Sequence, residues 1–180
     1  KIRVLGMGSQ LQMLALALDP PDQSSIVDAV LHLKELGAML IYDSDGKFDY
    51  NDGELTFLGR IMNALPVDPA IARFIVIGYL LSVLDEAIII GAGLNLKSIF
   101  MQSFRDKIQS YVQKLNWSHG SGSDCIAILN AYNLSMSQDK LDRQWCQRNS
   151  LDFKNLDEMK ILIKEITRRL GDFRITKLPH

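Results

Sequence analysis

Leu18-Asp-Pro-Pro-Asp22 is the stretch that decides how the first part of this chain folds. Neither proline fits inside a helix, so the pair ends the short helix that is predicted to begin after Ser9. Asp22 is placed to cap the next helix, which we predict over about Gln23–Leu36 from apolar residues at helical spacing. Gly37 follows, at a position where glycine commonly ends a helix.

Two apolar segments come next, with a loop rich in aspartate and glycine between them. We predict strands over Ala38–Tyr42 and Glu54–Phe57, joined by the Asp43–Gly53 loop, because aspartate and glycine favour turns. Helices followed by a two-stranded hairpin form the outline of a winged helix. The loop would then be the tip of the wing.

A second stretch, Ala64-Leu-Pro-Val-Asp-Pro69, begins the helical remainder of the chain. Asp68 can cap a helix whose first residue is Pro69, a position where the N–H that proline lacks would be unpaired anyway. The helices predicted over Pro69–Leu81 and Asp85–Leu94 are apolar on nearly every face. Such helices are typical of the middle of a bundle.

Further helices are predicted from caps and from apolar residues that recur every three or four positions. The first of them is capped by Ser98 and has an apolar stripe of Phe100, Phe104, Ile108, Tyr111 and Leu115. The second is capped by Ser123, and the third contains Leu141 and Trp145. The last begins at Asn155 and ends at Gly171. We therefore expect a mainly α fold. It would have a winged-helix domain with a small β-hairpin over residues 1–65 and an all-helical bundle over residues 66–180.

The segment Asp43–Glu54 also resembles a calcium-binding loop, with oxygen-bearing side chains at positions 1, 3, 7, 9 and 12. The pattern fails at position 5, which is Lys47, and at position 6, which is Phe48 where the tight turn needs glycine. The flanking segments are predicted strands rather than helices. An acidic wing tip is therefore expected in place of a metal site.

No catalytic or metal-binding residue is predicted. The sequence lacks a Gly-x-x-x-x-Gly-Lys-Ser/Thr loop, and Gly6-Met-Gly8 and Gly91-Ala-Gly93 are incomplete dinucleotide motifs, so we expect no ATP hydrolysis. Cys125 and Cys146 lie in apolar contexts that are typical of buried structural thiols. Apolar runs stay short of the ~18 residues that a membrane span needs, and Lys1 leads directly into globular sequence without a signal peptide.

Charge is distributed unevenly along the chain. The segment from Asp19 to Phe57 has nine acidic residues and two basic ones, a formal charge of −7, and the total of −1 leaves +6 for the rest. Such a separation fits a protein that presents its basic part to nucleic acid. It also fits an acidic surface that is merely solvated.

Several motifs together resemble the helicase-associated region of DEAH/RHA-type (DExH) RNA helicases, over about Gly6 to Leu170. They are Leu18-Asp-Pro-Pro21, Leu55-Thr-Phe-Leu-Gly-Arg60, Leu65-Pro-Val-Asp-Pro69, Leu84-Asp-Glu-Ala87, Ser123-Asp124, Asn130-Ala-Tyr132, Trp145-Cys146 and Asn149. The resemblance implies a winged helix followed by a ratchet-like helical bundle. It also implies an accessory role, in which the winged helix braces the motor domains and the bundle helps to enclose single-stranded RNA.

Within that family, Leu58-Gly59-Arg60 and Ser123-Asp124-Cys125-Ile126-Ala127 are most similar to the Tudor-domain-containing germline helicases. The similarity implies piRNA-guided, RNA-mediated gene silencing of transposons in cytoplasmic, perinuclear germ granules (nuage). ATP and Mg²⁺ would belong to the motor domains of a larger parent protein, and this chain would hold no cofactor. Its expected partners are single-stranded RNA, those motor domains and germ-granule proteins, but no membrane.

The expected RNA contacts are basic residues outside the acidic segment, and they would touch phosphates with weak, salt-sensitive affinity. They are Arg60, Arg73, Lys97, Arg105, Lys107 and Lys114. The aromatic residues Phe100, Phe104 and Tyr111 could stack on bases, but their helical spacing predicts that they lie in the core.

Two alternative functions are carried alongside the helicase module. The first is a scaffold surface that docks protein partners and has little RNA affinity of its own. The second is a free-standing winged-helix protein that binds nucleic acid. It is disfavoured because the predicted Gln23–Leu36 helix has Lys34 as its only fixed positive charge.

Overall fold

The computed structural model describes residue 2 and residues 4–42, 46–101, 107–137 and 142–176, apart from the side chains of Lys107 and Gln109. The chain forms two compact units, Lys1–Arg73 and Phe74–His180, which we call the N-terminal and C-terminal units. Both units are mainly helical in their described residues. The domain boundary expected between residues 65 and 66 stays a prediction.

The N-terminal unit contains α1 (Gln10–Leu14), α2 (Gln23–Glu35), α3 (Phe57–Ala64) and the first residues of α4 (Pro69–Leu80). Helix α1 packs against α2. The predicted caps of α2 and α4 are present, whereas the Ser9 side chain makes no capping bond at the start of α1. The Asp22 carboxylate accepts the backbone N–H of Ser25 at 3.1 Å, and the Asp68 carboxylate accepts that of Ala70 at 2.8 Å. Gly37 ends α2 with a φ of +75°, in the left-handed region that favours glycine.

The predicted β-hairpin does not form as a pair of strands in the described residues. The two segments meet in one isolated antiparallel bridge, Met39 with Leu55, and a second bridge joins Tyr42 to Phe48 in the loop between them. The reason lies in Thr56, whose side chain accepts the N–H of Gly59 at 2.9 Å and thereby caps α3. A helix that begins at the residue after this cap leaves no length for a second strand. The helices of the winged-helix prediction are present, but its hairpin is not shown as regular strands in the described residues.

The C-terminal unit is a bundle around α5 (Leu84–Asn95), in agreement with the all-helical prediction. Helix α5 packs against α7 (Asp124–Met136) and α9 (Phe153–Asp172), while α6 (Lys107–Trp117) packs on α7 and α8 (Arg143–Arg148) packs on α9. An isolated bridge between Phe100 and Leu151 ties the connection after α5 to the connection before α9. The residues buried most deeply here include Ile75, Ile99, Leu151, Leu156, Met159, Ile166 and Leu170.

Three predicted helix ends differ from the structure. The described part of α6 begins at Lys107 rather than after Ser98, and Phe104 and Leu141 lie outside the described residues. Helix α9 begins earlier than predicted, because Asp152, not Asn155, is its cap and accepts the N–H of Asn155 at 3.0 Å. It also runs through Gly171 to Asp172, and Arg174 takes the left-handed conformation with a φ of +59°.

The helices were also compared with the length and hydropathy that a membrane span requires. Within the described ranges, no single helix is both long enough and apolar enough. Helices α3 and α4 meet the length and hydropathy criteria only when they are taken together, and the chain bends between them. This match rests on length and composition alone.

Candidate nucleic-acid interface

The connection that leaves α5 places Lys97 at the surface. Leu96 and Ser98, on either side of Lys97, line a pocket of about 170 Å³ that Lys114 also lines. The connection is held in place because the carbonyl of Ser98 accepts a hydrogen bond at 2.8 Å from the side-chain amide of Asn155 on α9. The structure therefore brings Lys97 and Lys114 to the same side of the C-terminal unit.

Lys114 is committed to contacts within the protein. Its ammonium nitrogen lies 2.6 Å from a carboxylate oxygen of Asp124 and 5.7 Å from the ring centroid of Phe100. The carboxylate neutralises the ammonium group, so Lys114 adds little net positive charge to the surface. Phe100 is buried, as predicted, and cannot offer its face to a base.

The outer face of α6 is apolar and exposed, which the sequence analysis did not predict. Ile108 is 79% exposed and Tyr111 is 66% exposed, and Val112 and Leu115 are also exposed. The predicted burial of Tyr111 is therefore wrong, because α6 packs on α7 through its opposite side. The Tyr111 ring is available for stacking. Lys107 begins this helix, but its side chain, like the whole of Arg105, lies outside the described residues.

The other two candidates belong to the N-terminal unit. Arg60 is exposed on α3. The guanidinium group of Arg73 donates a hydrogen bond at 3.2 Å to the backbone carbonyl of Glu35, at the end of α2. A cation at this point is favoured by the partial negative charge of the helix C-terminus, so Arg73 has a structural role.

A further set of basic residues lies on α9, but carboxylates neutralise it. Arg168 and Arg169 both donate hydrogen bonds to Glu165, with nitrogen–oxygen distances of 2.9 Å and 2.6 Å. The hydrogen bonds from these two arginines lower the pKa of Glu165 to about 2. The ammonium nitrogen of Lys154 also lies 3.7 Å from a carboxylate oxygen of Glu158. These three basic residues of α9 are therefore paired with carboxylates and add little net positive charge to the surface.

Lys34 of α2 is buried and does not face solvent. Its ammonium group donates to the backbone carbonyl of Asp49 and lies 4.9 Å from the ring centroid of Phe48. It therefore anchors the described part of the 43–53 loop to α2. Without this cation at its surface, α2 has no fixed positive charge to offer nucleic acid, which weakens the free-standing winged-helix alternative further.

The candidates for metal and thiol chemistry were also located. Within the described ranges, no three or more His, Cys, Asp or Glu side chains are grouped closely enough to hold a metal ion, although Asp43 and Asp45 of the calcium-like pattern lie outside these ranges. Cys146 is buried, and its pKa is raised by burial and secondarily by the negative charges of Asp142 and Asp152. Such a thiol is unreactive. Cys125 is half-buried.

The helical part of the chain matches a known family of domains. The profile of the ratchet-like helicase-associated domain (HA2) matches residues 68–158, which cover α4 to α8 and the start of α9. The chain therefore belongs to this family of ratchet-like helicase-associated domains.

Proteins named probable ATP-dependent RNA helicase spindle-E are similar over most of the chain. The Culex quinquefasciatus protein is 46% identical over 177 residues, and the Aedes aegypti protein is 47% identical over 177 residues; each alignment covers 95% of this chain. The Mus musculus ATP-dependent RNA helicase TDRD9 is 35% identical over 190 residues. The chain spans 12%, 13% and 14% of the length of these three relatives, respectively.

Proposed function

We propose that this chain is a non-catalytic accessory module of an ATP-dependent DExH RNA helicase, where it braces the motor domains and helps to enclose single-stranded RNA. The observation that carries the proposal is the extent of the similarity, since 95% of this chain aligns with the Culex and Aedes proteins, across both units. ATP and Mg²⁺ would bind to motor domains of the parent protein, because this sequence lacks a phosphate-binding loop.

The proposed RNA contact runs along α6 and the connection before it. Tyr111 offers an exposed aromatic face for stacking, and Lys97 offers an exposed ammonium group for phosphate. Lys107, at the start of α6, adds a second basic residue to the proposed path. Because these contacts are few, the affinity of the isolated chain would be weak, about 10⁻⁴–10⁻⁵ M, and would fall steeply with salt.

The proposal extends to the biological setting of the parent protein. The support is the identity to proteins named spindle-E and TDRD9, together with the motifs that resemble the Tudor-domain-containing germline helicases. On this basis the parent acts in piRNA-mediated transposon silencing in the germline. Its location is the cytoplasmic, perinuclear germ granule, and proteins of that granule are among its partners.

A specific observation favours the protein-docking scaffold as the second candidate. The end of α4 and the turn that follows it expose a run of apolar side chains, Ile77, Leu80, Leu81 and Val83. Apolar residues that are clustered and exposed are typical of a surface that another protein covers. This function would need no RNA affinity in the isolated chain.

RNA binding separates the two candidates. We expect a labelled single-stranded poly-uridine oligonucleotide to bind the chain at about 50 mM salt, measured by fluorescence anisotropy. Lys97→Glu with Lys107→Glu should weaken binding more than tenfold, because both changes reverse charge along the proposed path. Tyr111→Ala should weaken it at least fivefold through lost stacking. Lys114 is left unchanged because its removal would unpair Asp124.

The matched control is Lys160→Glu with Lys164→Glu, which changes the net charge equally on α9. If this control weakens binding as much as the α6 pair does, the effect is general charge and the assignment to α6 is wrong. A chain that shows no RNA binding at low salt, while its melting temperature proves it folded, would favour the scaffold.

A further inference from the structure

A larger cleft in the C-terminal unit plays no part in the interface described above. It lies between α5, α7 and α9 and has a volume of about 410 Å³, within the range of about 300–1,000 Å³ that is usual for small-ligand sites. Isoleucine side chains of α5 and α9 line the cleft, together with the polar residues Asp85, Glu86, Asn133 and Thr167. The cleft is therefore apolar along its walls and polar at a few defined points.

Tyr132 of α7 also lines the cleft, and it is 9% exposed, so more than nine-tenths of it is buried. Its backbone carbonyl accepts the hydroxyl of Ser135 at 2.7 Å, but within the described ranges its own phenolic hydroxyl has no hydrogen-bond partner. Burial raises the pKa of this phenol, so the group stays a neutral hydroxyl that can both donate and accept. The hydroxyl is not among the buried, unpaired polar atoms of the described residues, so it is open to the cleft and can pair with a group that enters it.

The charge in the cleft is negative. Glu86 is exposed and has no ion-pair partner in the described part of the chain, and Asp85 beside it adds a second carboxylate. None of the described residues that line the cleft is basic. The exposed Glu86 carboxylate attracts a cation and repels the phosphate groups of RNA.

We propose that this cleft binds the guanidinium group of an arginine side chain that a protein partner presents. A guanidinium group has five N–H donors in a planar fork, which suits acceptors spread over Glu86, the Tyr132 hydroxyl and the Asn133 amide oxygen. The isoleucine walls suit the aliphatic stem of arginine, which packs on apolar surface while its charged end reaches polar groups. The inference goes beyond the proposed function and does not depend on RNA binding by α6.

The test uses the 180-residue chain and N-acetyl-arginine amide as the probe, followed by NMR of the backbone amides of Tyr132 and Thr167. We expect saturable shifts with this probe and none with N-acetyl-citrulline amide, which has the same shape but no charge. Tyr132→Phe removes one hydroxyl, and Glu86→Gln removes one charge; each should weaken binding about three- to tenfold. Asp157→Asn, on α9 but outside the cleft lining, is the matched control and should leave the affinity unchanged.

Three results would overturn the proposal. The first is equal binding of the citrulline derivative, which would remove the need for a cation. The second is unchanged affinity in both Tyr132→Phe and Glu86→Gln, with melting temperatures that show both variants folded. The third is displacement of the arginine probe from the cleft by single-stranded RNA. The RNA experiment on α6 has separate variants and a separate readout, so failure there would leave this test intact.

Discussion

At the scale of single residues, small side chains set how closely the elements of each unit approach. A Cβ atom on Gly59 of α3 would collide with the backbone carbonyl of Ala38, and one on Gly93 of α5 would collide with the Ile128 side chain of α7. A side chain can move away from an added methyl group, but a backbone carbonyl held in a hydrogen bond cannot do so easily. Ala38 is held in this way, because its carbonyl accepts the N–H of Thr56 at 3.1 Å.

Gly59→Ala is therefore expected to destabilise the chain by about 2–3 kcal/mol, since the added methyl group forces α3 away from the 38–40 segment. Gly171→Ala is the matched control. No heavy atom lies within 4 Å of a Cβ at Gly171, so this change should stabilise α9 by about 0.5–1 kcal/mol. Urea unfolding measures both. A Gly59→Ala variant as stable as the unsubstituted chain would show that the close approach is absent in solution.

At the scale of elements, the ends of helices are set by hydrogen bonds between near neighbours. Asp22 at the start of α2 accepts the hydroxyl of Ser25 at 2.7 Å, the backbone N–H of Ser25 at 3.1 Å and the hydroxyl of Ser24. These bonds favour the ionised carboxylate. They lower its pKa from 3.8 to about 2, with the Ser24 bond as the largest cause.

The lowered pKa has a consequence for stability in acid. A carboxyl group whose pKa falls on folding stabilises the folded state above its unfolded pKa, and this contribution is lost as the pH falls from about 4 to about 2. Asp22→Asn keeps an acceptor for the cap but cannot be protonated in this range. We expect the melting temperature of this variant to change less between pH 5 and pH 2.5 than that of the unsubstituted chain.

Asp19→Asn is the control for the acid measurement, because it removes a carboxylate three residues before the cap and makes no capping bond. Between pH 5 and pH 2.5, the melting temperature of Asp19→Asn should change by nearly as much as that of the unsubstituted chain. The change for Asp22→Asn should be smaller. Equal acid dependence in both variants would mean that the cap does not contribute to acid unfolding.

At the scale of the whole molecule, each of the two units has its own buried residues. Leu65, at the C-terminal end of α3, is buried in the N-terminal unit, and Ile75 is fully buried in the C-terminal unit. These positions lie on either side of the stretch that joins the units, so each reports on the core of its own unit.

Leu65→Asp and Ile75→Asp should each destabilise the chain by about 3–5 kcal/mol, because each places an unpaired charge in an apolar interior. Ile161→Asp makes the same chemical change on α9, where the side chain is 62% exposed, and should stay within about 0.5 kcal/mol. Thermal unfolding followed by circular dichroism compares the three. A fully folded Ile75→Asp variant would show that α4 is not packed as described.

Much of the fold could be predicted from local patterns. The order of the helices, the caps at Asp22 and Asp68, and the glycine at the end of α2 all rest on contacts within about four residues. The predicted hairpin, which does not form as regular strands in the described residues, shows the limit of local patterns. The segment before α3 has strand-like residues, but Thr56 begins a helix there because its side chain can pair with Gly59.

The candidate interface depended more on contacts between distant residues. The apolar spacing of α6 predicts a helix with an apolar stripe. The spacing does not indicate whether another helix covers that stripe, and Tyr111 is exposed in the structure. Likewise the sequence shows Lys114 as a free cation, whereas the fold places Asp124, ten residues later, beside it. A basic residue therefore becomes a candidate contact only after its partners are known.

The sequence by itself determined the class of fold and the family, because both rest on the order of caps, breaks and apolar repeats along the chain. The tertiary structure alone decided which surfaces are available. It turned Lys34 inward, neutralised Lys114, exposed the outer face of α6 and brought Tyr132 and Glu86 to one cleft. The physical reason is range. Helix formation depends on neighbours a few residues apart, whereas exposure and charge depend on side chains that only packing brings together.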